Sequence, residues 1–172
     1  MTLSTKQSIK NVAVFCVIAL VSGLVLGLVN HFTAVDPKAE AIRKFNALFP
    51  TAQEYTVVDE KAGNVLYVAE SENVVAILSK GKGGFKGEVQ AYVFFVEGKI
   101  ALLSVGEHKE TYVGKLQADK FFERFIGKNT SAAFSEIDGV TGATRSSNAV
   151  KNAVTAAAEY YKEHYEGGQN GR

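Results

Sequence analysis

The sequence predicts an α+β domain, a mainly antiparallel sheet flanked by helices, carried behind one N-terminal transmembrane helix. Three observations predict it. A long uncharged stretch lies near the start. A block of period-two, β-branched and aromatic residues runs from Glu54 to Gly106. Apolar residues recur at helical spacing on both sides of that block.

The uncharged stretch runs from Val12 to Val29, 18 residues with Ser22 as the one polar side chain. As a helix it would span roughly 27 Å, close to the hydrocarbon thickness of a bilayer. Gly23 and Gly27 are tolerated there and, as small-xxx-small, could mark a face packing on another membrane helix. Lys6 and Lys10 precede the stretch, and His31 and Asp36 follow it. The positive-inside bias therefore puts residues 1–11 in the cytoplasm, a span over 12–32, an extracytoplasmic domain over 33–166 and a disordered polar tail over 167–172. A cleaved signal peptide is the competing reading; the run is long for one, and the small-residue site is poor, with Phe32 two positions before Ala34. The anchor is expected in the plasma (inner) membrane.

Charge and cysteine content narrow the function. The net charge of +1 includes the two lysines of the N-terminal segment, leaving 17 basic against 18 acidic residues in the remainder. Such a near-neutral domain gives no reason to expect nucleic acid as partner. The single cysteine, Cys16, lies in the apolar stretch. No disulfide, thiolate cluster or haem attachment can be built from it, and Val14 and Phe15 before it do not suit a lipoprotein site. A cofactor here must be held without cysteine. His31, His108 and His164 are too scattered to suggest a metal site.

Asp36-Pro37 reads as an N-cap with proline at the first helical position, and Ile42, Phe45 and Phe49 follow at helical spacing until Pro50. Strands are expected over Val65–Ala69, Val74–Leu78, Val89–Val96 and Ile100–Val105, with a hairpin turn at Glu97-Gly98. Val93 to Val96 is apolar on both faces, which predicts a central, doubly covered strand. Ala118, Phe121, Phe122, Phe125 and Ile126 predict a helix ending at Gly127 as C′ residue. A last helix, capped by Ser146 or Ser147, carries Ala149, Val150, Ala153, Val154 and Ala157 on one face. The order read is helix, strands, helix, strand, helix.

Two segments could carry chemistry. Gly81-Lys82-Gly83-Gly84-Phe85-Lys86-Gly87 fails the dinucleotide fingerprint and the P-loop pattern, because lysine stands at position 86. It is either a glycine-rich connection or a loop whose backbone, at Gly83 and Gly84, approaches a flat ligand. Asp138-Gly139-Val140-Thr141-Gly142-Ala143-Thr144-Arg145-Ser146-Ser147 is a turn delivering a hydroxyl to the start of a long helix. Unpaired N–H groups and the positive dipole end would stabilise a phosphate near Thr144, and Arg145 could add a charge-assisted contact. A capping turn that binds nothing would look much the same.

The string Asp-x-x-Thr-Gly-Ala-Thr followed by Ser-Ser resembles the flavinylation motif of FMN-binding domains. These occur in the G subunit of the Rnf ferredoxin–NAD oxidoreductase and the C subunit of the sodium-translocating NADH–quinone reductase. The anchor, the glycine stretch from Gly81 and His108-Lys109-Glu110-Thr111 fall in the same order. Tyr112 stands where the family usually carries proline. The resemblance implies FMN attached covalently, as a phosphoester, to Thr144, with Thr141, Gly142, Ala143 and Arg145 around it and Asp138 recognised by a flavin transferase. It also implies that Glu110 and Thr111 lie near the isoalloxazine. The chain's length favours the Rnf subunit, with the other membrane subunits of that complex as partners. The implied role is an electron carrier rather than a stand-alone catalyst. The equivalent subunit of the sodium-translocating reductase and a non-redox, membrane-tethered binding module are the alternatives.

Overall fold

The computed structural model describes residues 3–33 and 36–166; the expected tail at 167–172 lies outside the described residues. Two compact units divide at Asp36. The first is a single helix, α1 (Leu3–Thr33). It is long and apolar enough to cross a membrane, with a mean hydropathy of 2.9 over its most apolar 18-residue window. Phe15, Leu20, Leu26 and Cys16 are all exposed on it. A helix apolar all round cannot satisfy itself in water.

The second unit opens with α2 (Pro37–Leu48), and Pro37 takes the first helical position as expected. Five strands follow: β1 (Thr56–Glu60), β2 (Val65–Ser71), β3 (Val74–Gly81), β4 (Val89–Val96) and β5 (Lys99–His108). They form one antiparallel meander in the order β1-β2-β3-β4-β5. The β4–β5 hairpin turns on Glu97 and Gly98, at φ 49° and 75°. Positive φ at both positions is the geometry whose twist matches the strands.

Alternation along β4 builds two cores. Val93 and Phe95 point to one face, where they meet Val150, Ala153, Val154 and Ala157 of α4 (Thr144–Tyr161). Tyr92 and Phe94 point to the other, where Phe45 of α2 packs edge-on to both rings at 5.5 and 5.9 Å. Phe45 is fully buried, and such a ring contributes about 1.5–3 kcal/mol by area alone. The architecture is the α+β arrangement that the sequence predicts.

Several elements differ from expectation. β1 was not among the expected strands; its pattern is broken by a register shift between Val57 and Asp59. β4, by contrast, is paired on both sides and covered on both faces as its apolar run predicts, with β3 the middle strand of the five. The helix expected over Ala118–Ile126 is broken. A short α3 (Val113–Ala118) ends, Lys120 turns to φ 52°, and a 3-10 turn (Phe121–Phe125) follows. Phe121 and Phe125 still reach the core, Ile126 is exposed, and Gly127 takes the left-handed conformation at φ 78°. No strand lies between this turn and α4; the isolated bridge of Lys99 with Asn129 and a 3-10 turn (Phe134–Glu136) stand there instead.

Gly81 positions the site. A Cβ there would sit 1.8 Å from the carbonyl oxygen of Ala149 and 2.5 Å from the nitrogen of Ala153. The end of β3 therefore lies directly on the backbone of α4, and Ser79 Oγ donates to Ala153 O at 2.7 Å. Only glycine permits that approach. The loop leaving β3 is thereby delivered beside the first half of α4.

Candidate functional site

The turn before α4 is tied by Ser147. Its hydroxyl accepts the Val140 N–H at 3.0 Å and donates to Ala143 O at 3.0 Å. Gly142 takes φ 76°, which a side chain would resist. The helix then begins at Thr144, with Ala143 as N-cap and no side-chain cap. The expectation that Ser146 or Ser147 caps it is thus corrected. Both serines lie inside the first turns and are buried, because each hydroxyl is engaged by a neighbouring segment.

This placement separates the motif's hydroxyls. Thr141 and Thr144 are exposed, whereas Ser146 and Ser147 are 1% and 0% exposed. Thr144 stands at the first helical position, where the backbone N–H groups have no helical partner. Arg145, next in the chain, and Asp138 are both exposed, and Asp138 O accepts from Arg124 Nη1 at 2.7 Å. Lys115, from α3, brings its ammonium to 3.3 Å from where a Gly142 Cβ would lie. No carboxylate pairs with Lys115 or Arg145 among the described residues.

Glu110 joins this turn to the glycine loop. It is 5% exposed. One carboxylate oxygen accepts the Lys86 N–H, and the other accepts the Ser146 hydroxyl. Burial pushes the carboxyl up, but Ser146, Lys86 and Phe85, helped by the charge of His108, outweigh it and hold the group below the usual glutamate value. The carboxylate is therefore a charged latch between three segments.

Its close approach explains one of the loop's glycines. A Cβ on Gly84 would lie 2.6 Å from Glu110 Oε1 and 2.4 Å from Gly87 O. Gly83 needs its freedom for another reason, a φ of 99°. Asn152 Nδ2 of α4 donates to Lys82 O at 2.8 Å and ties the loop's other end.

The structure thus brings Gly83, Gly84 and Glu110 together with the turn that carries Thr141, Gly142, Ala143, Thr144 and Arg145. Thr111 is exposed in the turn after Glu110. Phe85, Lys115 and Ser146 belong to the same constellation; Ser146 is expected from sequence as a cap, and Phe85 and Lys115 are not among the expected site residues. An aromatic residue inside a glycine-lysine loop, outside any periodic pattern, was the available signal for Phe85.

Residues 84–159 match the family of FMN-binding domains. The matched span begins at Gly84 and takes in Glu110, the Asp138–Thr144 turn and most of α4. No curated protein matches the chain. The match supports the FMN-binding family for this part of the chain, with FMN as its cofactor.

The residues present fit that group. An accessible hydroxyl stands at an uncapped helix N-terminus, flanked by two cations without acidic partners. A concavity of about 680 Å³ lies on the opposite sheet face between α2 and β4–β5, lined by Ala41, Leu78, Tyr92 and Val105 among others. It contains no residue of the motif, so volume alone would point away from the chemistry. The motif turn is open surface.

Proposed function

We propose that this chain is a membrane-anchored electron carrier holding FMN as a phosphoester on Thr144. The observation that supports this most is the separation of the motif's hydroxyls. Thr144 is exposed and stands at the start of α4, while both serines beyond it are buried and engaged.

In this reading a flavin transferase docks on the exposed turn and recognises Asp138. Thr144 Oγ1 forms its bond to phosphorus of FAD, the pyrophosphate bond breaks, AMP leaves, and the hydroxyl proton passes to a base on the transferase. The ester that results keeps one negative charge. The first N–H groups of α4, Lys115 and Arg145 stabilise it there. Thr144 takes no part after attachment. FMN supplies the redox chemistry, and the chain supplies position and potential.

We assign the chain to an Rnf-type ferredoxin–NAD oxidoreductase complex as its G-type subunit. The apolar α1 and the complete motif from Asp138 to Thr144 fit such a subunit, and fit the equivalent subunit of the sodium-translocating reductase equally; the chain's length is what favours the Rnf type. α1 is read as a single-pass anchor in the plasma (inner) membrane. The N-terminus is cytoplasmic and the flavin domain is outside, where a non-covalent flavin would be lost.

The test is Thr144→Ala, expressed with the transferase. Flavin fluorescence in a denaturing gel, which only a covalent flavin survives, is expected in the parent and absent in the variant. The variant should keep its near-ultraviolet circular dichroism. A fluorescent Thr144→Ala band overturns the assignment.

A further inference from the structure

Outside α1, the large hydrophobic side chains exposed among the described residues are Val58, Phe85 and Ile126. Phe85 is the aromatic one and is 56% exposed. Exposed single apolar residues are common, but this ring is held out by a tied-down segment rather than by a loose one. The N–H of the next residue, Lys86, is bonded to the buried Glu110. The Gly84 N–H donates to Gly87 O at 3.1 Å, closing the loop around it.

Two independent chains of contact run from Phe85 to the residues on either side of Thr144. Through side chains, the Phe85 ring meets Tyr112 edge-on at 6.2 Å and 75°. Lys115 Nζ lies 5.3 Å from the centre of the Tyr112 ring, and the same ammonium borders Gly142. Through the backbone, the N–H of the adjacent Lys86 reaches Glu110, whose other oxygen takes the Ser146 hydroxyl. Gly142 and Ser146 lie two residues before and two residues after Thr144. The circuit therefore closes around the exposed Thr144 hydroxyl, with Phe85 as its apolar member. Its polar members point elsewhere: Glu110 is committed to the chain, and Lys115 lies toward the turn.

We infer that Phe85 stacks against one face of a flat heteroaromatic ligand, the isoalloxazine of the Thr144-linked flavin, with Glu110 as the positioning residue that holds it there. The inference rests on the flavin reading above and adds to it which side chain covers the ring. An aromatic face offset against a planar ring is a favoured arrangement, and it excludes water from one side of the ring. Tyr112, edge-on to Phe85, limits how far that ring can swing. Gly84 is required here because Glu110 passes where its side chain would stand.

The experiment uses the full chain in detergent after maturation with the transferase, and every signal is normalised to covalently bound flavin. Phe85→Trp should lower flavin fluorescence severalfold, because an indole in contact with the excited ring donates an electron to it. Phe85→Leu should raise quenching by iodide severalfold, because one face becomes open to solvent. In the Phe85→Trp background, Glu110→Ala should restore most of the fluorescence. Glu110→Gln, which keeps an acceptor for the Lys86 N–H, should restore less.

Flavin fluorescence and iodide access unchanged in both Phe85 variants would overturn the stacking role. Quenching as strong with Glu110→Ala as without it would overturn the positioning role. Absence of covalent flavin from Thr144 in the parent chain is a different result and refutes the attachment reading instead.

Discussion

Replacing Glu110 by glutamine removes one negative charge from a carboxyl that is 5% exposed and bonded to Ser146 and Lys86. Hydrogen bonds to a charged group are worth about 1.5–3 kcal/mol net, against about 1 kcal/mol for neutral ones. Glutamine keeps an acceptor for the loop and a partner for Ser146, so only the charge-assisted part is lost. The expected cost is about 1–2 kcal/mol at neutral pH. With a urea dependence of about 1–3 kcal/mol per molar, the midpoint should fall by roughly 1 M.

Its pH dependence identifies the cause. The folded carboxyl lies below its unfolded value. The stability it contributes is therefore complete above the unfolded value of roughly 4.3, and is lost as pH falls through the lower folded one. Parent and Glu110→Gln midpoints, followed by near-ultraviolet circular dichroism in detergent, should differ at pH 7 and converge as the parent's carboxyl protonates. A gap of the same size at the lowest pH would refute the charged latch.

The remaining predictions test the same frame. Gly81→Ala should cost about 3 kcal/mol or more, since the added carbon meets the backbone of α4 at 1.8 Å and neither backbone can yield cheaply; a midpoint within error of the parent would contradict the packing. Ser147→Ala removes two bonds of the motif turn and should cost about 1–3 kcal/mol while lowering covalent flavin occupancy; full occupancy would free the turn of that role. A reporter active only in the cytoplasm, fused at Arg172, should be silent. A strong signal would reverse the orientation.

The strands β2 to β5 were legible as short β-branched and aromatic runs bounded by turn residues; β3 and β4 are buried on both faces, so they read as continuous apolar runs rather than by alternation. β1 was not, since Val58 is exposed and a bulge between Val57 and Asp59 breaks the period. The spacing of Phe121 and Phe125 marks a buried face without distinguishing α-helix from two short pieces, and the left-handed Lys120 that separates them carries no sequence signal. Ser146 and Ser147 look like caps because serine favours that role. Burial turns them inward, toward Glu110 in one case and the motif turn in the other. The motif itself was readable as a string. Its link to the glycine loop was not, because Glu110 joins segments distant in sequence through tertiary contacts.

The most direct test is the mass of the peptide ending at Arg145, fragmented to place the added group. The account predicts the mass of FMN, less water, on Thr144 and on no other residue of that peptide or of the one beginning at Ser146. The same mass on Thr141, or on Ser146 or Ser147, or no added mass in chain matured with the transferase, would contradict it.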